Sequence, residues 1–265
     1  MNTITVKGHA AKRLAIKVLA SRGLAVSVAV LVVAAAGAWG VTARADRAGG
    51  QTHDDARAQI AKARVARLKQ TVGQLEQAVG QLEDENEIET LQRTYGYFTD
   101  KAMWREAADL FADDATLEIG GSGVYVGKAH ILAYLTALAP HGLSYGMLRN
   151  HLQLQPVVTV APDGRTAKAR WRWLAELGEY RKSAAWGLGV YENEYVKVNG
   201  IWKIAKLHAY LRMRTPYAEG WAKAALPNTR ASRQPPPDRS PTVVYRTYPA
   251  TFIPPEDYPN PVTGR

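Results

Sequence analysis

The chain has 265 residues, of which 46% are hydrophobic and 22% are charged, a mixture typical of a folded globular protein. It contains no cysteine, which excludes disulfides, thiol nucleophiles and cysteine-ligated metals. The formal net charge of +10 is concentrated at one end, since residues 1–45 hold six of the 34 basic residues and no acidic one. The remainder, with 28 basic and 24 acidic residues, lacks the basic surface expected of a nucleic-acid-binding protein, so we expect no nucleic-acid partner.

Residues 1–45 have the pattern of an export segment. Basic residues precede Gly23, and residues 23–43 form an uncharged, apolar run. The small-x-small sequence at residues 43–45 is typical of a cleavage site, which predicts a signal peptide. An apolar run of about 20 residues is also long enough to span a bilayer, so a retained membrane tether is the alternative. Either way we expect the rest of the chain to be exported and periplasmic, soluble or anchored to the inner membrane.

Residues 46–83 are predicted to form a helix with a heptad seam. Apolar residues recur there at alternating spacings of three and four, at Val65, Leu68, Val72, Leu75, Val79 and Leu82. A seam of about two and a half heptads is marginal alone. It could pack on the chain's own domain or form the stalk of an oligomer, and both interpretations are open. We expect a homodimer or a homotrimer.

The region 84–225 is predicted to be an α+β domain, because helical spacing comes first and alternating strands follow. The predicted elements are helices within 84–111, a hairpin over 115–127, a helix over 129–138 and strands over 153–160, 166–177, 188–198 and 201–212. Asn199-Gly200 between the last two strands is a strong hairpin signal. This order predicts helices packed on a curved antiparallel sheet that encloses a pocket.

Residues 226–265 form the last segment, with 10 of the 14 prolines and no helical period. Such a segment is predicted to be extended rather than to build a core. Its scattered tyrosines and other apolar residues predict that part of it lies along the domain or a neighbouring subunit. A disordered tail is the alternative.

The last predicted hairpin carries polar and aromatic side chains. A two-residue turn pairs Val198 with Ile201 and places Tyr191 opposite His208. Tyr210 then shares this face, which we interpret as the polar lining of a cavity. A β-bulge would exchange the two faces.

Two further groups are candidates for chemistry. Tyr95, Tyr97 and Asp100 lie at the end of one predicted helix, although Asp100 could instead cap the next helix. His151 begins a strand, where a lone histidine is more often a surface or core residue. The four histidines of the predicted domain have no metal-ligand spacing, so we expect no metal site.

The stretch from Asp84 to Trp221 resembles a SnoaL-like domain of the nuclear transport factor 2-like superfamily. The sequences that carry the resemblance are "EIETLQRTYGYFTDKAMWREAADLFADDA", "RNHLQLQPVVTVAPDGRTAKARW" and "YENEYVKVNGIWKIAKL". It implies a cone-shaped α+β fold. It leaves the activity open, because this superfamily includes dehydratases, isomerases, cyclases, lyases and binding proteins.

The catalytic pattern most similar to this sequence is that of the cofactor-free dehydratases, such as scytalone dehydratase and bile acid 7α-dehydratase. The resemblance implies that Tyr95, Asp100, His151 and Arg212 are catalytic. Glu176 is the nearest match to a further acid in the middle strand. Arg212 and Glu176 each stand one residue out of step with the family pattern.

The export segment and the proline-rich tail also resemble those of the sphingomonad diarylpropane lyases, cofactor-free enzymes that release formaldehyde from lignin-derived diaryl compounds. Trp173 and the other tryptophans of the domain suit an aromatic substrate, or simply a core. We expect substrate contacts from Tyr97, Trp173, Glu176, Tyr191, His208 and Tyr210.

These features predict a cofactor-independent lyase for a hydrophobic aromatic substrate, acting by dehydration or by formaldehyde-releasing C–C cleavage. In the expected mechanism His151, oriented by Asp100, is the general base, Tyr95 is the acid and Arg212 holds a developing phenolate. An isomerase that moves a proton between carbons and a non-catalytic binding protein are the alternatives.

Overall fold

The computed structural model describes residues 47–255, 260 and 262–264. The predicted signal peptide or anchor lies outside these residues. The described residues from 58 onward form one compact unit, which contains the whole sheet. No helix in the described part of the chain combines the length and the apolar character needed to cross a membrane.

The described residues form four helices and six strands. In chain order these are α1 (Arg47–Asp100), α2 (Trp104–Asp109), β1 (Phe111–Ile119), β2 (Val124–Val126), α3 (Lys128–Leu138), β3 (Met147–Val160), β4 (Thr166–Glu179), β5 (Ser183–Val198), β6 (Ile201–Pro216) and α4 (Gly220–Lys223). Every helix and strand predicted between residues 84 and 216 is present, and the strands are longer than predicted.

The six strands form one curved, unclosed sheet in the order β2-β1-β6-β5-β4-β3. This arrangement confirms the predicted α+β fold of the nuclear transport factor 2-like type. The sheet is mixed rather than purely antiparallel, because β1 pairs with β6 in parallel. The prediction missed this pair because β1 lies far from β6 in the sequence and local spacing says nothing about their direction.

Helix α1 continues without a break across the predicted boundary between residues 83 and 84. Its two parts differ in burial. Ile88 and Tyr95 are buried in the domain, whereas the heptad residues are 37–65% exposed. No described residue covers the seam, so the interpretation that it packs on the chain's own domain is wrong for the described structure. The oligomer stalk stays a prediction.

The β5–β6 hairpin has the predicted turn. Asn199 and Gly200 both have positive φ, 51° and 80°, as a tight two-residue turn requires. Val198 lies opposite Ile201, as predicted. The start of the hairpin could therefore be read from the sequence.

The register of the same hairpin then changes. Glu194 pairs with Lys206 and Tyr195 pairs with Ile204, so Ala205 is an extra residue in β6. Beyond this bulge Tyr191 lies opposite Ala209, and His208 lies opposite Glu192. The prediction that Tyr191 faces His208 is wrong, because the bulge places the two side chains on opposite faces of the sheet.

A second bulge lies further along. Leu188 pairs with Met213 and Gly189 pairs with Leu211, which leaves Arg212 as the extra residue. Arg212 is exposed, whereas Leu211 and Met213 are buried. The first bulge already places Arg212 on the face opposite Leu211, and the second bulge changes the facing only of the residues that follow it.

One face of the sheet and the helices enclose the hydrophobic core. The largest fully buried side chains include Trp171, Tyr95, Tyr125, Tyr191, Tyr195, Phe111, Leu117 and Ile131. Four tyrosines in this set mean that the interior holds hydroxyl groups as well as apolar surface. The core is thus suited to a site with hydrogen-bonding groups inside it.

The described part of the tail lies along the domain, as predicted. The Asp238 carboxylate accepts a hydrogen bond from the Val126 N–H at 2.7 Å. The Tyr245 and Phe252 rings stack with centroids 4.1 Å apart, and both lie against Tyr210. The tail therefore covers the face of β6 opposite the core.

Gly189→Ala is expected to destabilise the domain. A Cβ at Gly189 would lie 2.0 Å from the Tyr210 carbonyl oxygen and 2.7 Å from the Trp173 ring, so backbone and core would have to shift. Overpacking of this kind costs about 1–3 kcal/mol. We expect the free energy of unfolding, measured in urea, to fall by at least about 2 kcal/mol.

Gly178→Ala is the matched control. Its Cβ would meet its nearest neighbour at 3.5 Å, an ordinary contact, in the adjacent strand. Equal stability losses in the two variants would contradict the close packing of Gly189 on Trp173.

Candidate functional site

A cavity of about 250 Å³ lies between the helices and the sheet. Its lining is contributed by α1, α2, α3, all strands except β2, and the tail, and it consists of Tyr95, Thr99, Trp104, Ile119, Tyr134, Leu135, Leu138, Arg149, His151, Trp173, Ala175, Leu177, Ala185, Trp186, Gly187, Leu211, Arg214 and Thr229. An apolar, aromatic wall with a few convergent polar groups is typical of a small-molecule site.

Two tyrosines line the cavity. Tyr95, near the end of α1, and Tyr134, in α3, are 2% and 7% exposed. Burial raises the pKa of Tyr95 well above its usual value and that of Tyr134 to about 12. Both side chains are therefore neutral phenols at neutral pH and can donate a hydrogen bond to a bound molecule.

His151 lies on the inward-facing side of β3. Its Nε2 atom is 3.1 Å from the Tyr191 hydroxyl, and its ring contacts Trp173 edge to face with centroids 5.2 Å apart. Desolvation, together with the positive charge of Arg149, lowers the pKa of His151 to about 4. The imidazole is therefore neutral at physiological pH and able to accept a proton.

Asp100 does not orient the His151 ring. Its carboxylate accepts a hydrogen bond from the backbone N–H of His151 at 2.6 Å. Burial raises the pKa of Asp100, and this N–H opposes the increase. Asp100 lies in a groove of about 340 Å³ between α1 and β3 rather than in the cavity. The expected contact between Asp100 and the imidazole is therefore absent. Asp100 instead binds the backbone of β3, and it is Tyr191 that contacts the ring.

Two buried donors of the site lack a partner. Arg149 Nε and Trp173 Nε1 form no hydrogen bond within the described residues. The Arg149 guanidinium carbon lies 5.3 Å from the centre of the Trp104 ring. An unsatisfied buried donor costs about 1–3 kcal/mol, so a ligand with acceptor oxygens would relieve this cost.

A polar network lies next to His151 in the interior. The Tyr195 hydroxyl donates to Gln92 Oε1 at 2.9 Å and accepts from Trp171 Nε1 at 3.1 Å. Asn193 Nδ2 donates to the same glutamine oxygen at 3.0 Å. Gln92 Nε2 in turn donates to Gln153 Oε1 at 2.9 Å. These mutually satisfied groups fix α1 to the sheet and need no ligand.

Several predicted site residues lie outside the cavity. Tyr97 is 65% exposed, and Glu176 accepts a hydrogen bond from Asn150 on the opposite face of the sheet. His208 and Tyr210 stack on each other beside the tail residues that cover this part of β6. Arg212 points to solvent. The expected contacts of these five residues with a ligand in the cavity are therefore corrected. Tyr97 lies on the exposed side of α1, strand alternation turns Glu176 outward, and the bulge at Ala205 turns the three β6 residues outward.

Of the predicted residues, the structure brings Tyr95, His151 and Trp173 together at the cavity, with Tyr191 behind the histidine. The prediction noted Arg149 beside His151 but gave it no role, although it stands two residues before His151 in the same strand. Residues two positions apart in a strand lie on the same face of the sheet, so the sequence did indicate that Arg149 and His151 face the same way. The prediction missed Tyr134, for which α3 gave no polar signal beyond the tyrosine itself.

Three histidines of the described domain have separate surroundings. His130 Nδ1 is 2.6 Å from Asp238 of the tail, His208 Nε2 is 3.7 Å from Glu118, and His151 lines the cavity. Within the described residues no three His, Asp or Glu side chains are placed to hold a metal ion.

Comparison with known protein families finds a match within the domain. Residues 80–208 match the family described as the SnoaL-like domain. This match covers just under half of the chain, and with the six-stranded sheet and its helices it supports a nuclear transport factor 2-like assignment of the domain. No curated protein matches the chain.

Solved structures of similar fold cover about half of the chain. A candidate scytalone dehydratase from Novosphingobium aromaticivorans is 22% identical, with a TM-score of 0.46 over 53% of this chain and 91% of that one. The hexachlorocyclohexane dehydrochlorinase LinA-type3 from Novosphingobium barchaimii is 20% identical, with a TM-score of 0.47 over 53% and 94%. LinA itself is 21% identical, with a TM-score of 0.47 over 54% and 95%.

The buried histidines predict a loss of stability in mild acid. Burial lowers the pKa values of both His151 and His208 to about 4, from 6.5. Between these values the unfolded chain binds protons that the folded chain does not, so the free energy of unfolding falls as the pH falls. The free energy of unfolding is unaffected by this protonation above pH 6.5. Between pH 6.5 and pH 4.5 each histidine should lower the free energy of unfolding by about 2–3 kcal/mol.

His208→Gln isolates one histidine, because this side chain lies outside the cavity. We expect urea unfolding between pH 6.5 and 4.5 to show a shallower decline for the variant than for the unmodified protein. An identical decline in both proteins would mean that His208 is not held neutral by burial.

Proposed function

We propose that this domain is a cofactor-independent lyase that removes water or formaldehyde from a hydrophobic aromatic substrate. The observation that carries the proposal is the meeting of a neutral histidine, a neutral buried tyrosine and two unpartnered donors in one aromatic cavity. A protein that only binds an apolar ligand has no need of a base beside a phenol.

His151 is the proposed general base. In dehydration its imidazole removes a proton from the carbon next to the one that bears the hydroxyl, and this electron pair forms the C=C bond as the C–O bond breaks. The departing hydroxide takes the Tyr95 proton and leaves as water. The proton on the imidazole then returns to the Tyr95 phenolate through solvent, so the side chains end as they began.

The same two groups can cleave a C–C bond in a 1,3-diol. His151 then takes the hydroxyl proton of the CH₂OH group. The bond between this carbon and the neighbouring carbon breaks, which releases formaldehyde. The electron pair of that bond forms the C=C bond as the second hydroxyl leaves with the Tyr95 proton. A lignin-type diaryl diol would supply both hydroxyls and two aromatic rings for the tryptophan-lined wall.

Arg149 takes the role that the sequence had suggested for Arg212. Its guanidinium and the Trp173 N–H are buried donors at the cavity, where a phenolate or a developing oxyanion could be held. Charge-assisted hydrogen bonds in a desolvated site are stronger than those in water. Oxygen atoms of a phenolic or methoxylated substrate are acceptors of the kind that these donors lack.

We also propose that the domain acts outside the cytoplasm, in the periplasm. This rests on the basic and apolar character of residues 1–45 and on the small-x-small sequence at their end, residues 43–45. The substrate would then be a compound that reaches the periplasm from the surroundings.

The proposed base and acid predict large losses of turnover. With purified protein, chelator and no added cofactor, lignin-type diaryl diols, phenolic β-hydroxy compounds and hydroxysteroids would be screened by mass spectrometry and a formaldehyde assay. On the substrate found, His151→Ala and Tyr95→Phe should each lower kcat by about a hundredfold or more. Tyr97→Phe, the same change on the exposed side of α1, should leave kcat unchanged.

Three results would contradict this assignment. Turnover within about threefold of the unmodified protein in both cavity variants would remove their catalytic roles. A product of unchanged mass would make the protein an isomerase. Tight binding of a panel member without turnover of any would make it a binding protein.

A second pair of variants distinguishes the proposed role of Arg149 from the role first expected of Arg212. Loss of a charged hydrogen-bond donor in a desolvated site costs about 1.5–3 kcal/mol, so Arg149→Met should lower kcat/KM for a phenolic substrate about 10–100-fold. Arg212→Met should have no effect, because Arg212 is exposed. The opposite ranking would restore the role that the family resemblance implied for Arg212.

A further inference from the structure

We propose that the exposed heptad seam of α1 joins two copies of this chain as an antiparallel pair of helices. The seam consists of Val65, Leu68, Val72, Leu75, Val79 and Leu82, each 37–65% exposed in the single chain. The valines occupy one heptad position, here called a, and the leucines occupy the position three residues later, called d. A seam with valine at a and leucine at d is complementary to a second copy of the same helix, which is the partner we propose.

The domain of the same chain does not cover this seam. α1 contacts its own domain through Asp84, Ile88, Leu91 and Tyr95, which lie at heptad positions c and f. On a helix these positions face away from a and d. The seam thus remains open to a partner while the domain packs on the other side.

Charge complementarity selects the antiparallel orientation. The side chains that flank the seam at positions e and g are basic in its first half, at Lys62, Arg64 and Lys69, and acidic in its second half, at Glu76, Glu83 and Glu85. In an antiparallel pair e faces e and g faces g of the partner helix. The basic half of each helix then lies on the acidic half of the other.

Individual pairs follow from the register that matches every a residue with a d residue. Val65 then packs beside Leu82 of the second copy, and the other valines and leucines pair in the same way. This register brings Lys69 beside Glu76, Lys62 beside Glu83 and Arg64 beside Glu85, each pair occurring twice. All six contacts are between opposite charges.

A parallel pair would lose this complementarity. There each g residue faces the e residue five positions later in the other helix, so Arg64 would lie beside Lys69. The following g residues, Thr71 and Ala78, are uncharged and would face Glu76 and Glu83 without attraction. The parallel arrangement therefore has repulsion at one end and no attractive pair along the seam.

Cysteine cross-linking tests the orientation, because the chain has no cysteine of its own. Full-length chains carrying Val65→Cys or Leu82→Cys would be expressed with different tags, separately and together, and oxidised before non-reducing electrophoresis. The antiparallel pair predicts a disulfide only between the two different chains. Copies of the same variant keep their sulfurs about 26 Å apart, given a rise of about 1.5 Å per residue over the intervening stretch.

The mass of the full chain in mild detergent, measured by sedimentation, tests the association itself. We expect a dimer that Leu75→Asp converts to a monomer. Ile60→Asp is the matched control: Ile60 is 67% exposed on the same helix but lies off the seam, so this variant should stay dimeric. Circular dichroism would confirm that both variants are folded. Cross-links between like variants, a dimer that survives Leu75→Asp, or a monomeric unmodified chain would each overturn the proposal.

Discussion

The cavity depends on two single-residue bulges in β6. Side chains alternate between the two faces of a sheet, so one extra residue reverses the facing of every residue beyond it. Ala205 is the first such residue, and it sends Leu207 and Ala209 inward while His208 and Tyr210 turn to the tail. Arg212 is the second, and beyond it Arg214, which lies opposite Gly187, lines the cavity.

The composition of the cavity wall explains its chemistry. Tyr95, Tyr134 and His151 are all removed from water, and burial favours the neutral form of each. The site therefore holds an unprotonated base and protonated acids at the same pH, which is the requirement for moving a proton without a cofactor. Arg149 supplies a partly buried positive charge that can stabilise a substrate oxygen that becomes negative.

Local sequence patterns predicted much of this molecule. Helical spacing found α1 and α3, and Asn199-Gly200 fixed the start of the last hairpin. Tyr95 and His151 were found through the family resemblance. A bulge leaves no signal in local spacing, because Ala205 suits a regular strand as well as an irregular one. The facing of His208, Tyr210 and Arg212 could therefore not be predicted.

The proposed chemistry requires a neutral His151 imidazole, and its protonation state can be measured by nuclear magnetic resonance. The ring signals would be followed through a pH titration and assigned by their loss in His151→Ala. We expect a titration midpoint near 4, because the ring lies in a desolvated wall beside Arg149. A midpoint near 6.5, the ordinary value for histidine, would show that water reaches the ring and would contradict the site described above.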